Sequence, residues 1–147
     1  MSEQKSPYID ESIDHGPHPY VVNIEEETLN NELFRQTIWT GKHIQATVMT
    51  IPVGGDIGLE VHEENDQFIR IEQGRGRCQM GPAEDDLSFE KEVEDDWSIF
   101  VPAGQWHNVT NIGDEPLKLY TIYGPADHLP GTIHKTQQDA EDDPNED

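Results

Sequence analysis

The sequence predicts an all-β sandwich or barrel, on three observations. Runs rich in Val, Ile, Thr and aromatic residues recur at intervals of about 8–12 residues. Turn-forming clusters separate them, at Pro52-Val53-Gly54-Gly55-Asp56, Gly74-Arg75-Gly76, Gly81-Pro82 and Pro102-Ala103-Gly104. No helical pattern of about ten residues or longer interrupts the series, so the crossover helices that a parallel α/β sheet needs are missing.

Taken in chain order, residues 1–20 contain only Ile9 and Ile13 among large aliphatic residues and are expected to form a disordered arm that includes His15 and His18. The folded domain is expected over 21–136. Asn23 to Leu33 lacks a sustained apolar stripe and is predicted as a turn or short strand. Phe34 to Trp39 and His43 to Ile51 follow as strands around a Thr40-Gly41-Lys42 turn, with Ile44, Ala46, Val48 and Thr50 on one face. Ile57 to Glu63 and Gln67 to Glu72 are expected to pair as a second hairpin across Glu64-Asn65-Asp66. Further strands are predicted at Arg77 to Met80, Phe89 to Val93, Trp97 to Val101, Trp106 to Thr110 and Leu117 to Tyr123. Residues 137–147 hold no large apolar side chain and no basic residue, and are expected to be a solvated, disordered tail.

Charge narrows the partners. The 147 residues carry 31 acidic against 9 basic side chains, a formal charge of −22, which excludes broad electrostatic affinity for nucleic acid or anionic lipid. Such a balance fits either salt adaptation or high solubility; salt adaptation is favoured and predicts stability that rises steeply with added KCl. Cys78 is the single cysteine, so no intramolecular disulfide forms, and with no signal-like or spanning apolar run a cytoplasmic protein is expected.

The chemistry-bearing residues converge by spacing. Glu60 and His62, two apart on a predicted strand, share a face. Gln67 lies five residues on and His107 forty beyond that, just after the Pro102-Ala103-Gly104 turn. Two imidazoles and a carboxylate are the ingredients of a site for Fe(II) or a similar ion that leaves open positions for water or substrate. Alone, each of these residues would be read as an ordinary polar side chain at a barrel mouth or a hydrogen-bonded core imidazole. Strand parity sends Arg70 and Trp106 to the other face, and lets only one of Tyr120 and Tyr123 face the cavity. Asp66 would replace Gln67 if the register slipped by one residue. His134 is placed near the barrel mouth.

Gly54 to Gly74 resembles the first cupin motif, G-x5-H-x-H-x3-4-E-x6-G, with Glu60 at the first His position and Gln67 at the Glu position. Pro102 to Asn111 matches the P-x-G-x2-H-x3-N part of the second, which opens here with Asp96 in place of Gly. The resemblance implies a small cupin, a jelly roll or double-stranded β-helix, holding one divalent transition metal (Fe, Mn, Ni, Co or Zn) on Glu60, His62, Gln67 and His107. Glu60 and Gln67 read as an exchange that keeps one negative charge. On unperturbed histidine values metal binding would weaken around pH 6.

Small cupins of this kind are often labelled mannose-6-phosphate-isomerase-like. That similarity implies a metal-dependent enzyme on a small carbohydrate-like substrate, a sugar or sugar phosphate, with Glu60 or Tyr120 as candidate catalytic groups. Scarce basic residues lower the phosphosugar version. One alternative is an Fe-dependent dioxygenase-like cupin with a pocket of Ile69, Ile71, Val101, Val109 and Leu119; another is a non-catalytic, metal-stabilised barrel that binds a small ligand. Small cupins also resemble one another in pairing through an outer sheet face, which implies a homodimer.

Overall fold

The computed structural model describes residues 6–146. After a 3-10 turn at Glu11–Ile13 come helix α1 (Ile24–Asn30) and strands β1 (Arg35–Thr40), β2 (Gln45–Ile51), β3 (Asp66–Gln73), β4 (Gly76–Gly81), β5 (Phe89–Val93), β6 (Ser98–Val101), β7 (Trp106–Asn111), β8 (Leu117–Gly124) and β9 (Ile133–His134), then helix α2 (Gln137–Asp142). The strands form two antiparallel sheets, one of six in the order β6-β3-β8-β2-β1-β9 and one of three in the order β5-β4-β7. This is the expected all-β double-stranded β-helix. No described helix is long and apolar enough to cross a membrane.

Period-two alternation builds the core. Leu117, Leu119, Thr121 and Tyr123 on β8, Ile69 and Ile71 on β3, Met49 and Ile51 on β2, and Val109 on β7 are all buried, and the aliphatic members form one cluster between the sheets. Each such side chain contributes roughly 1.5–3 kcal/mol by leaving water. The opposite face of the six-stranded sheet is also partly covered: Ile38, Ala46 and Val48 pack with Ile24 of α1, Trp39, Tyr120 and Ile122. The apolar row Ala46, Val48 read from the sequence therefore belongs to this outer layer, and the inner row of β2 is Gln45, Thr47, Met49 and Ile51, with Thr47 and Thr121 hydroxyls bonded at 2.6 Å.

Several expectations are corrected. Asn23 to Leu33 is neither turn nor strand: its centre is α1, capped by the Asn23 side chain accepting from the Glu26 N–H (3.1 Å), with Glu25, Glu26 and Glu27 in the first turn where the helix dipole favours them. Its C-terminal end is held by buried Lys118, whose Nζ donates to the carbonyls of Leu29 (2.8 Å) and Asn31 (2.6 Å). Local propensity is weak here and tertiary contacts decide. Ile57 to Glu63 is no hairpin strand; it touches β7 only through isolated bridges, Asp56 to Thr110 and Glu60 to His107, while β3 pairs with β6 and β8.

The terminal segments also differ from expectation. Residues 1–5 and 147 lie outside the described residues. Within 6–20, the Asp14 carboxylate accepts from the Thr40 N–H (2.9 Å) and hydroxyl (2.6 Å), the His15 N–H donates to the Ile38 carbonyl (2.9 Å), and the Trp39 indole donates to the His18 carbonyl (2.7 Å). Residues 137–146 form α2 and a following turn against the barrel, where Asp143 is 1% exposed. Burial of specific polar partners, invisible in composition, orders both ends.

Candidate metal centre

The turn ahead of β7 uses Gly104 at φ 85°, a conformation that disfavours any side chain, and delivers His107 to the inner face, fully buried. Two backbone bonds then lock Glu60 opposite it: Glu60 N–H to the His107 carbonyl (3.1 Å) and His107 N–H to the Glu60 carbonyl (2.9 Å). The second motif's opening residue, Asp96, sits at φ 73°, which explains why glycine suits that position and why an acidic residue of low left-handed cost can replace it.

The side chains converge as the spacing predicted. His62 Nε2 lies 3.2 Å and His107 Nε2 3.6 Å from Glu60 Oε1, with the imidazole centroids 5.3 Å apart. Close as they are, neither nitrogen makes a hydrogen bond of acceptable geometry, and both are buried. Gln67, on the inner face of β3, likewise buries an Oε1 with no partner. The other ring nitrogens are occupied: His62 Nδ1 faces Asp127 Oδ1 at 3.1 Å, and His107 Nδ1 donates to the Gln105 carbonyl at 3.1 Å. Those outer partners fix the tautomer that leaves Nε2 free to ligate. Buried polar atoms without partners cost free energy unless something fills the gap, and an imidazole–carboxylate set suits a divalent transition metal. Glu60, His62 and His107 therefore fit one metal ion, their ligand atoms all lying within 4.8 Å of one another.

Charge reinforces the pairing. Burial favours a neutral Glu60, but the adjoining His107 and His62 and the positive charge of Arg35 outweigh it and hold the carboxyl well below its ordinary range. Burial would lower His62, yet the close carboxylates of Asp127 and Glu60, which favour a protonated ring, raise it to about 10. A metal ion held there would have to displace the His62 proton, so proton competition would extend above the pH 6 expected from unperturbed histidine.

Of the tyrosines, Tyr123 rather than Tyr120 faces inward. Its ring stands edge-on to His62 (5.6 Å, 85°), its hydroxyl lies 3.3 Å from His128 Nε2, and burial raises its pKa, keeping it protonated. Tyr120 packs on the outer face near Phe68 and Arg70, which removes it as a catalytic candidate. Shared parity with buried Leu117 and Leu119 was the signal that favoured Tyr123. Arg70 is outside, as parity required, bonded to Glu72 and Asp96. Asp66 accepts from the Ala103 N–H and does not replace Gln67.

A cleft of about 420 Å³ opens beside the centre, lined by Leu59, Glu60, Val61, His62, Glu63, Glu64, Asn65, Trp106, Asp127, Asn145 and Glu146. Trp106 reaches it despite its parity, because it is the first residue of β7, where the pairing begins. Ile69, Ile71, Val101, Val109 and Leu119 are packed in the core and none of them lines this cleft; Val101 borders a separate groove with Phe68, Phe100 and Ile122. Asp127, Asn145 and Glu146 were not anticipated, since only folding brings them beside His62. Among the described residues, two further histidine–acid groups exist, Asp127/His128/Glu146 and His134/Asp143/Glu146. Their imidazole nitrogens already have partners: His128 Nδ1 at 2.7 Å from Glu146, His134 Nε2 at 2.9 Å from Asp143 and Nδ1 at 3.4 Å from Arg35. They read as structural pairs. His15, stacked on Tyr20 at 4.2 Å, is likewise structural.

Comparison with known proteins agrees with this architecture. The cupin domain family model matches residues 47–123. The uncharacterized protein YrkC of Bacillus subtilis (strain 168) is 52% identical over 142 residues, 95% of this chain and 76% of that one. An uncharacterized protein of Acanthamoeba polyphaga mimivirus is 44% identical over 115 residues, 78% of this chain and 70% of that one. The crystal structure of BH2720 from Bacillus halodurans superposes with a TM-score of 0.88 at 56% identity, covering 89% of this chain and 99% of that one. With both motifs folded around one inward-facing donor set, and with these matches, the chain belongs to the cupin family.

Proposed function

We propose that this cupin is a metal-dependent enzyme acting on a small, uncharged, oxygen-rich substrate of the sugar type. The observation that carries the reading is the pair of buried, partnerless Nε2 atoms of His62 and His107 around Glu60, at the edge of the cleft. A divalent ion held there would polarise ligand oxygens. Glu60, His62, His107 and Gln67 are its ligands, Asp127 and the Gln105 carbonyl orient the imidazoles, and Trp106 offers an apolar face for a sugar ring. Carboxylates at Glu63, Glu64 and Glu146 accept from hydroxyl groups. Among the described residues no Lys or Arg lines the cleft, which disfavours a phosphate ester, and its polar lining disfavours the apolar substrates of dioxygenase-like cupins.

The test is metal content of untagged protein by mass spectrometry, joined to NMR of unphosphorylated aldose and ketose substrates in D2O. About one ion per chain in wild type, lost in Glu60→Ala and His107→Ala, together with metal-dependent deuterium exchange next to the carbonyl, is the expected result. A chain that refuses Fe(II), Mn(II), Ni(II), Co(II) and Zn(II) would overturn it, and a loaded chain without exchange would favour a ligand-binding barrel. We further propose that two copies pair through an outer sheet face, supported by Phe100 (71% exposed) and half-exposed Ile44 beside Phe68 and Ile122. Light scattering of the purified protein decides between one and two chains.

A further inference from the structure

Residues 137–146 are strongly acidic and belong to a chain of charge −22, so repulsion should drive them away from the barrel. Helix α2 cannot hold them by itself, since it buries no residue of its own. The segment is instead pinned at points. Gln137 Nε2 donates to Asp56 Oδ1 at 2.8 Å, and Ala140 rests on the core. Beyond the helix, two histidine clasps take over: His134 with Asp143, both 1% exposed or less, and His128 with Glu146. Between the clasps the chain turns, with the Asn145 N–H donating to Asp143 Oδ1 (2.9 Å) and the Glu146 N–H to the Asp143 carbonyl (3.1 Å). That turn places Asn145 and Glu146 in the wall of the metal cleft, beside Glu60 and His62.

We propose that residues 143–146 are a hinged wall of this cleft, shut by the His134–Asp143 and His128–Glu146 clasps, and that Asn145 and Glu146 contact the ligand. Resting on the cleft being the ligand site, the inference adds a specificity element. A carboxamide and a carboxylate at the mouth accept from hydroxyl or ammonium groups and repel carboxylates and phosphates. Opening requires breaking the clasps and not the sheets, so it lies at the low end of the local stability scale. A buried Asp143 that loses His134 is costly, which favours a segment either fully clasped or released.

The test uses Trp106, which lines the same cleft, as a reporter. In full-length protein with Trp39→Phe and Trp97→Phe, quenching of the remaining indole is measured with neutral acrylamide and with iodide, before and after Asp143→Asn/Glu146→Gln. The expected result is a several-fold rise for both quenchers, larger for iodide, with a cooperative melting transition retained. Unchanged quenching by both would overturn the wall, and equal rises for the two would overturn the anion selection. His128→Gln alone opens one clasp and gives an intermediate rise, which keeps the proposal decidable if the double variant does not fold. In metal-loaded protein the clasp variant also releases metal to a chelator several-fold faster at unchanged equilibrium affinity; equal release rates count against the wall. The quenching arm needs no metal, so a protein that binds none would sink the metal reading while leaving this inference separately tested.

Discussion

Two pairs of histidines in one barrel end up in opposite states. His128 and His134 are buried with both ring nitrogens near partners: Glu146 and Tyr123 for the first, Asp143 and Arg35 for the second. His107 is equally enclosed and His62 is partly buried, yet each keeps one nitrogen with an outer acceptor and leaves the other facing Glu60 without a bond. Proximity of histidine and acid is common to both regions, so it identifies nothing. What separates the candidate ligand site from a structural clasp is an imidazole nitrogen buried without a hydrogen bond, next to a carboxylate.

The contrast is broken or sharpened by substitution. His107→Ala should have the largest effect, abolishing stoichiometric metal while the metal-free fold survives; elemental analysis and a thermal melt read the two sides. His134→Ala should do the reverse, costing about 3 kcal/mol because Asp143 is left buried without its partner, with metal stoichiometry retained. If both variants lose metal and stability alike, the distinction between the regions fails. Asp127→Asn removes only the acceptor behind His62 and should weaken metal affinity by roughly 10–100-fold in a competition titration.

The two regions also respond to pH with opposite signs. His62 titrates above its ordinary 6.5 in the folded chain, so its contribution to the metal-free fold is complete below pH 6.5 and fades as pH rises to about 10. His134 is lowered, mainly by burial, so its penalty appears as pH falls below 6.5. Melting temperatures of metal-free protein should decline on both sides, and His62→Gln should flatten the alkaline limb alone. Apparent metal affinity should climb with pH across the neutral range, by up to about tenfold per unit for one displaced proton. The smallest expected effect is that of Tyr120→Phe, which should leave metal binding unchanged, whereas Tyr123→Phe withdraws a hydroxyl from His128 and should lower the melting temperature slightly.

The parts legible in the sequence were those governed by local rules. Strand alternation located the inner rows of β3, β7 and β8, and motif spacing pointed to Glu60, His62 and His107, whose side chains the fold brings together. Where a structure depends on distant partners, the sequence reading failed in recognisable ways. Helix α1 needs Lys118 at its end, and residues 57–63 look strand-like but find only isolated bridges. Asp127 reaches His62 from the far end of β8, a contact no spacing encodes. Acidity suggested that both termini float, because composition cannot show that His134, His128 and Thr40 wait to receive them.

The reciprocal backbone bonds between Glu60 and His107 carry one more consequence. Because these two residues face each other across one two-bond backbone bridge, the separation of their backbones is set by peptide geometry. A frame of that kind discriminates by ionic radius. If the site takes an ion, a transition metal that sits about 2.0–2.2 Å from nitrogen and oxygen donors would suit it, whereas calcium, which prefers about 2.3–2.6 Å and six to eight oxygens, would not.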